Sequence, residues 1–111
     1  PRVTVGVYTF EIHLPGARSL KDKRQVVRRL KDRLRAHHNV AVCEIAEHAD
    51  LWQRASIAVV SIASRSEALE DLFEHVRREA ESEVPGEVMD TGRDYMEASD
   101  GGPGGWEGDW R

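Results

Sequence analysis

The chain has 111 residues, 40% of them hydrophobic and 32% charged, with a formal net charge of −4. That balance excludes a disordered chain, and the length suits one domain around one core. A single cysteine excludes an internal disulfide and an iron–sulfur cluster, and no apolar run approaches the roughly 18–20 residues of a membrane span.

The first segment, VTVGVYTFEIHL (3–14), is β-branched and aromatic and reads as a strand. Both of its alternating sets are substantially apolar, which marks a central strand. PGAR (15–18) is a turn. Ser19 with Asp22 forms an S-x-x-D start for a first helix, whose apolar stripe is Leu20, Val27, Leu30 and Leu34. Asn39 is placed to end it in a left-handed conformation. Segments 39–48 and 51–63 read as a second and a third strand, close enough to form a hairpin, with Cys43 buried in the first of them. Ser64 and Glu67 cap a second helix that runs to about Glu83, with Leu69, Leu72, Phe73, Val76 and Ala80 on its stripe. EVMDTGRDYMEA (87–98) reads as a weaker fourth strand at an edge. The segment 99–111 holds five of the nine glycines and reads as a flexible tail with two tryptophans, Trp106 and Trp110.

The order is β-α-β-β-α-β. Short connections and right-handed crossovers turn it into an α+β, ferredoxin-like split βαβ sandwich over residues 1–98. Two helices then cover one face of a four-stranded antiparallel sheet, and the other face stays open. Apolar residues expected there call for a ligand or a second copy of the chain. Tyr8 and Phe10 share a face of the first strand, and they suit either the core or a homodimer contact on the open face. Base stacking of the RNA-recognition type is not supported, because the third strand lacks the aromatic pattern of those domains.

Charge is distributed unevenly. Residues 18–38 hold nine Lys or Arg against two Asp, and the remainder holds seven basic against eighteen acidic residues. On a helix Lys21, Arg24, Arg28, Lys31 and Arg35 form one ridge within an arc of roughly 80°, with Arg29 and Arg33 on the outer face. Three readings compete, one of them contact with an acidic protein partner. The second helix, with seven Asp or Glu and two Arg between 66 and 83, could lie alongside and neutralise the ridge. Alternatively, the ridge meets the phosphate backbone of a nucleic acid, RNA above all.

Catalytic and metal signals are weak. There is no Gly-rich phosphate loop, no GxSxG and no zinc-type Cys/His spacing. Glu11 and His13 share a strand face without a nucleophile in sequence proximity. His48, Asp50 and Glu47 sit in one loop, where solvation is the simpler reading than metal binding. His37 and His38 are adjacent and expected to point to different sides. No enzyme activity and no cofactor is expected, and the lack of a signal-peptide layout at the start makes the cytoplasm the expected location.

Two stretches, SLKDKR (19–24) and DLWQRA (50–55), lie within a longer pattern from Val3 to Met96 that resembles the YlxP-like family of small bacterial proteins. The resemblance implies a ferredoxin-like fold of unknown function. It also implies genes that neighbour those for transcription elongation, translation initiation and ribosome maturation, hence a link to RNA or ribosomes. In SLKDKR, Lys21, Lys23 and Arg24 crowd the first helical turn against the helix dipole, a cost that a bound anion would relieve. In DLWQRA, Trp52 either plugs the end of the core or joins Arg54 in a stacking and phosphate site. Arg54 is otherwise expected to pair with Glu44 or Glu47 across the hairpin.

Overall fold

A computed structural model describes residues 2–99. The elements are β1 (Arg2–His13), α1 (Leu20–His37), β2 (Ala41–Ile45), a 3₁₀ turn (Ala46–His48), β3 (Arg54–Ala63), α2 (Ser66–Glu83) and β4 (Glu87–Ser99). The strands form one antiparallel sheet in the order β2-β3-β1-β4, the ferredoxin-like arrangement expected from the element order. β4 is an edge strand as expected, but at 13 residues it is the longest in the sheet. The glycine-rich segment and its tryptophans Trp106 and Trp110 lie, beyond Ser99, outside the described residues.

β1 is central because it is apolar on both sides. Tyr8, Phe10 and Ile12 point beneath the helices and are fully buried. There they meet Phe73 of α2 and Leu30 and Leu34 of α1 in one cluster, with the Tyr8 and Phe73 ring centroids 5.5 Å apart. Tyr8 and Phe10 therefore belong to the core, and the expectation that they form a homodimer contact on the open face is corrected. Gly6 permits this packing, because a Cβ there would stand 2.9 Å from the Phe73 ring. Gly86 lets β4 start against β1, where a Cβ would stand 1.9 Å from the His13 carbonyl oxygen. The Tyr8 hydroxyl donates to Asp90 at 2.5 Å, and Arg93 lies over the ring, 4.6 Å from its centroid.

Several local expectations change. Segment 39–48 yields only five strand residues before the 3₁₀ turn, and β3 starts at Arg54 rather than Leu51. Cys43 faces the open side and is exposed, because the strand alternation sends Val42 and not Cys43 into the core. α1 ends on an extended His38 rather than on a left-handed Asn39. α2 starts after Arg65, which makes no side-chain cap, so Ser64 is not its cap. The first helix starts as read: Ser19 Oγ accepts from the Asp22 amide, and Asp22 accepts from the Arg18 amide.

Candidate nucleic-acid interface

The two flanks of α1 have different neighbours. The buried stripe is Lys23, Val27, Leu30 and Leu34. On one flank Arg33 Nε lies 3.5 Å from Glu79 and 3.2 Å from Glu83, both on α2. The expectation that Arg33 lies on the outer face is corrected: at 100° per residue it is about 100° from Leu34, on the flank opposite Arg35. There it faces the acidic helix, together with both histidines at the end of α1. His37 Nδ1 and His38 Nε2 lie 2.5 and 2.7 Å from the two oxygens of Glu79, so the pair converges on one carboxylate instead of diverging. Partial burial opposes ionisation of Glu79, yet the two histidines hold its carboxyl below the ordinary range.

The ridge occupies the opposite flank, roughly 60–140° from the stripe at 100° per residue. Arg35 fixes its direction by donating to the Val42 carbonyl of edge strand β2 at 3.0 Å. Lys21, Arg24 and Arg28 are exposed and Lys31 is half-buried, and none of the four makes an ion pair among the described residues. Arg35 has a loose contact with Asp32 at 4.0 Å. Asp22, the other acid of this helix, is engaged in the N-terminal cap. α2 thus neutralises the Arg33 flank and leaves the ridge alone. Among the described residues the band presents four uncompensated cations over about three helical turns, with Arg29 exposed beyond it.

Lys23 departs from its expected role. It does not crowd the exposed first turn but turns inward, 1% exposed, into a nest of carbonyls. Its ammonium donates to the carbonyls of His48, Ala49 and Arg54 at 3.1, 3.0 and 3.4 Å and lies 3.2 Å from Glu44 Oε2. The sequence signal is its spacing: 23, 27, 30 and 34 share one apolar stripe. The result is that the connection from β2 to β3 is bound to the first turn of α1.

That connection carries Trp52, which is 52% exposed and so does not plug the core. Arg54 projects onto the uncovered sheet face, away from the ridge. Its partner is neither Glu44 nor Glu47: its Nε and Nη2 donate to the Glu11 carboxylate at 3.2 and 2.8 Å. The same carboxylate lies 2.5 Å from His13 Nε2 and 3.7 Å from His48 Nδ1, and His48 Nδ1 lies 2.8 Å from Ser56 Oγ. Sequence reasoning pairs Glu11 with His13 but misses His48, Ser56 and Arg54, which only the β1–β3 register brings together. A Ser–His–acid relay needs the two ring nitrogens to face different partners. Here one nitrogen of His48 faces both Ser56 and Glu11, which is not the arrangement of such a relay.

Hydrogen bonds from Arg54 first, then from His13, hold the Glu11 carboxyl down at about 2. A depressed carboxyl adds stability above its unfolded-state range and loses it as pH falls through the folded value. Glu11→Gln is therefore expected to lower the melting temperature at pH 7, with the gap to the wild type closing between about pH 4.5 and 2. Thermal unfolding across that window checks it.

Among the described residues no group of three His, Cys, Asp or Glu is arranged to hold a metal, and no helix is long and apolar enough to cross a membrane. The fold and the charge pattern define a small ferredoxin-like α+β protein with a one-sided basic helix. Residues 5–93 match the family described as "Protein of unknown function (DUF503)", and the chain belongs to it. A curated relative, "Uncharacterized protein YlxP" of Bacillus subtilis (strain 168), is 35% identical over 60 residues, which cover 54% of this chain and 64% of that protein. Among solved structures, a C-terminal segment of the alpha subunit of aIF2 from Pyrococcus abyssi is similar at a TM-score of 0.49 and 18% identity. That match covers 89% of this chain and 52% of that one. The designed protein Foldit4 is similar at a TM-score of 0.43 and 16% identity, over 89% and 98% of the two chains.

Proposed function

We propose that this protein is a non-enzymatic RNA- or ribosome-associated factor that grips the phosphate backbone through the ridge Lys21, Arg24, Arg28, Lys31 and Arg35. The observation that carries this reading is the charge asymmetry of α1: α2 pairs with one flank, and the other presents four cations that are unpaired among the described residues, three of them exposed and Lys31 half-buried. A chain of net charge −4 has no need of such a band for solubility. Lys and Arg spaced one helical turn apart suit a run of phosphates and carry no base readout of their own. Arg54 is not part of the contact, since Glu11 already occupies its guanidinium.

The test is the anisotropy of a labelled 12-nucleotide oligouridine titrated with the full chain. With four to five phosphate contacts, log K falls with log salt at a slope between about −2.8 and −3.5. Absence of binding at low salt overturns the reading.

The uncovered sheet face supports a second, compatible reading as a homodimer interface. Ile62 and Met96, both paired with Val5, are 58% and 60% exposed, and Val60 beside Val7 is 37% exposed. These residues replace Tyr8 and Phe10 as the dimer contact. Light scattering at high micromolar concentration discriminates, and a monomer rules the dimer out.

A further inference from the structure

We infer that Trp52 is a stacking platform for an unpaired base, so that the RNA bound by the ridge is single-stranded. This rests on the ridge reading and adds to it the class of RNA and the residue that selects it.

Two observations meet at Trp52. The first is exposure: the indole is 52% exposed, and Leu51 beside it 45%. An indole is among the largest apolar groups a fold can bury, and leaving half of it in water forgoes that stabilisation. Single exposed leucines are unremarkable, but an adjoining Leu–Trp pair makes a patch.

The second observation is rigidity. The backbone on either side of Trp52 is pinned at several points. The Leu14 amide donates to the Gln53 carbonyl at 2.9 Å, and Gln53 Nε2 donates to the Pro15 and Ala17 carbonyls at 3.1 and 3.4 Å. The Leu51 amide donates to the His48 carbonyl at 3.1 Å. Lys23 holds His48, Ala49 and Arg54 from the other side. Trp52 is thus exposed on a fixed segment, not on a loose one. With the backbone already ordered, only the two side-chain torsions of Trp52 lose freedom when a base lies on its ring.

Position supplies the ligand class. Lys23 sits in the first turn of α1 between Lys21 and Arg24 in sequence, so the pinned segment is bound to the end of the helix at which the ridge starts. A hollow of about 350 Å³ borders the indole, lined by Asp50, Leu51, Trp52, Gln53 and Arg54. A strand that runs past the N-terminal end of α1 would carry its bases toward this segment. Every base has a π-face for an aromatic ring, whereas a duplex keeps its bases stacked inside.

The experiment compares the full-length wild type and Trp52→Ala on the oligouridine and on a 12-base-pair RNA duplex. The variant is expected to bind the single strand about 5- to 100-fold more weakly, with the salt slope and duplex binding unchanged. Trp52→Phe recovers most of the deficit. On an oligomer with abasic sites in place of bases, wild type and Trp52→Ala bind equally, a readout that a merely destabilised variant would not give. Equal single-strand binding by Trp52→Ala and the wild type overturns the inference while leaving the ridge in place, as does an equal weakening on duplex and single strand. A wild type that binds neither RNA removes the ridge reading itself. A wild type that prefers the single strand to the duplex, with only the base-bearing single strand sensitive to the variant, supports both, and one that binds the duplex as tightly as the single strand overturns the inference.

Discussion

Replacing Lys23 by methionine is expected to destabilise the protein by about 3–5 kcal/mol, the range for removing one partner of a buried pair. The ammonium fills a nest of three carbonyls and one carboxylate oxygen, and its side chain is 1% exposed. Among the described residues Glu44 Oε2 has no other polar partner, so the variant strands a buried acceptor beside an empty nest. Methionine keeps most of the volume, which separates the effect of the missing hydrogen bonds from that of a cavity. For a domain of this size the melting temperature should fall by on the order of 15–30 °C. Adding Glu44→Leu should recover part of the stability, because the stranded oxygen goes with it. Thermal unfolding by circular dichroism measures both. A decrease below about 1 kcal/mol for Lys23→Met would mean that water replaces the ammonium without penalty.

The second large effect is on binding. Arg24→Glu, Arg28→Glu and Lys31→Glu together are expected to weaken oligouridine binding by more than about 100-fold at low salt, since three attractive contacts become repulsive. Folding should change by less than about 1 kcal/mol, because none of the three makes an ion pair among the described residues and surface charges contribute little. Anisotropy reads the binding and a urea titration reads the stability. A variant that unfolds would show that the ridge supports the fold instead of serving a ligand.

The fold is legible because each level of the sequence agrees with it. Val3–Leu14 is greasy on both sides and forms the central strand, and the Ser19–Asp22 cap fixes the start of α1. The ridge is legible too, since helical spacing alone places Lys21, Arg24, Arg28 and Lys31 on one flank. What spacing cannot say is which flank the neighbouring helix takes. That depends on α2 lying on the Arg33 side, a tertiary fact that decides between neutralised and free charge. Tyr8 and Phe10 are ambiguous for a related reason: a strand with two apolar faces does not announce which one the helices cover. The Glu11 cluster is hidden because its members come from β1, the 3₁₀ turn and β3, and only strand register joins them. Lys23 misleads by its type, since lysine is rarely buried, although its position on the Val27–Leu30–Leu34 stripe points inward. Trp52 misleads in the opposite sense, as a large apolar ring that suggests the core and stands in solvent.

The most direct measurement is the salt slope of oligouridine binding for the wild type beside a charge-neutral variant, Arg24→Gln with Arg28→Gln and Lys31→Gln. If these three side chains displace the counterions, the slope becomes shallower by about 2, at roughly 0.7 for each phosphate no longer neutralised. A variant with the same slope as the wild type would mean that the phosphates lie against some other part of the protein.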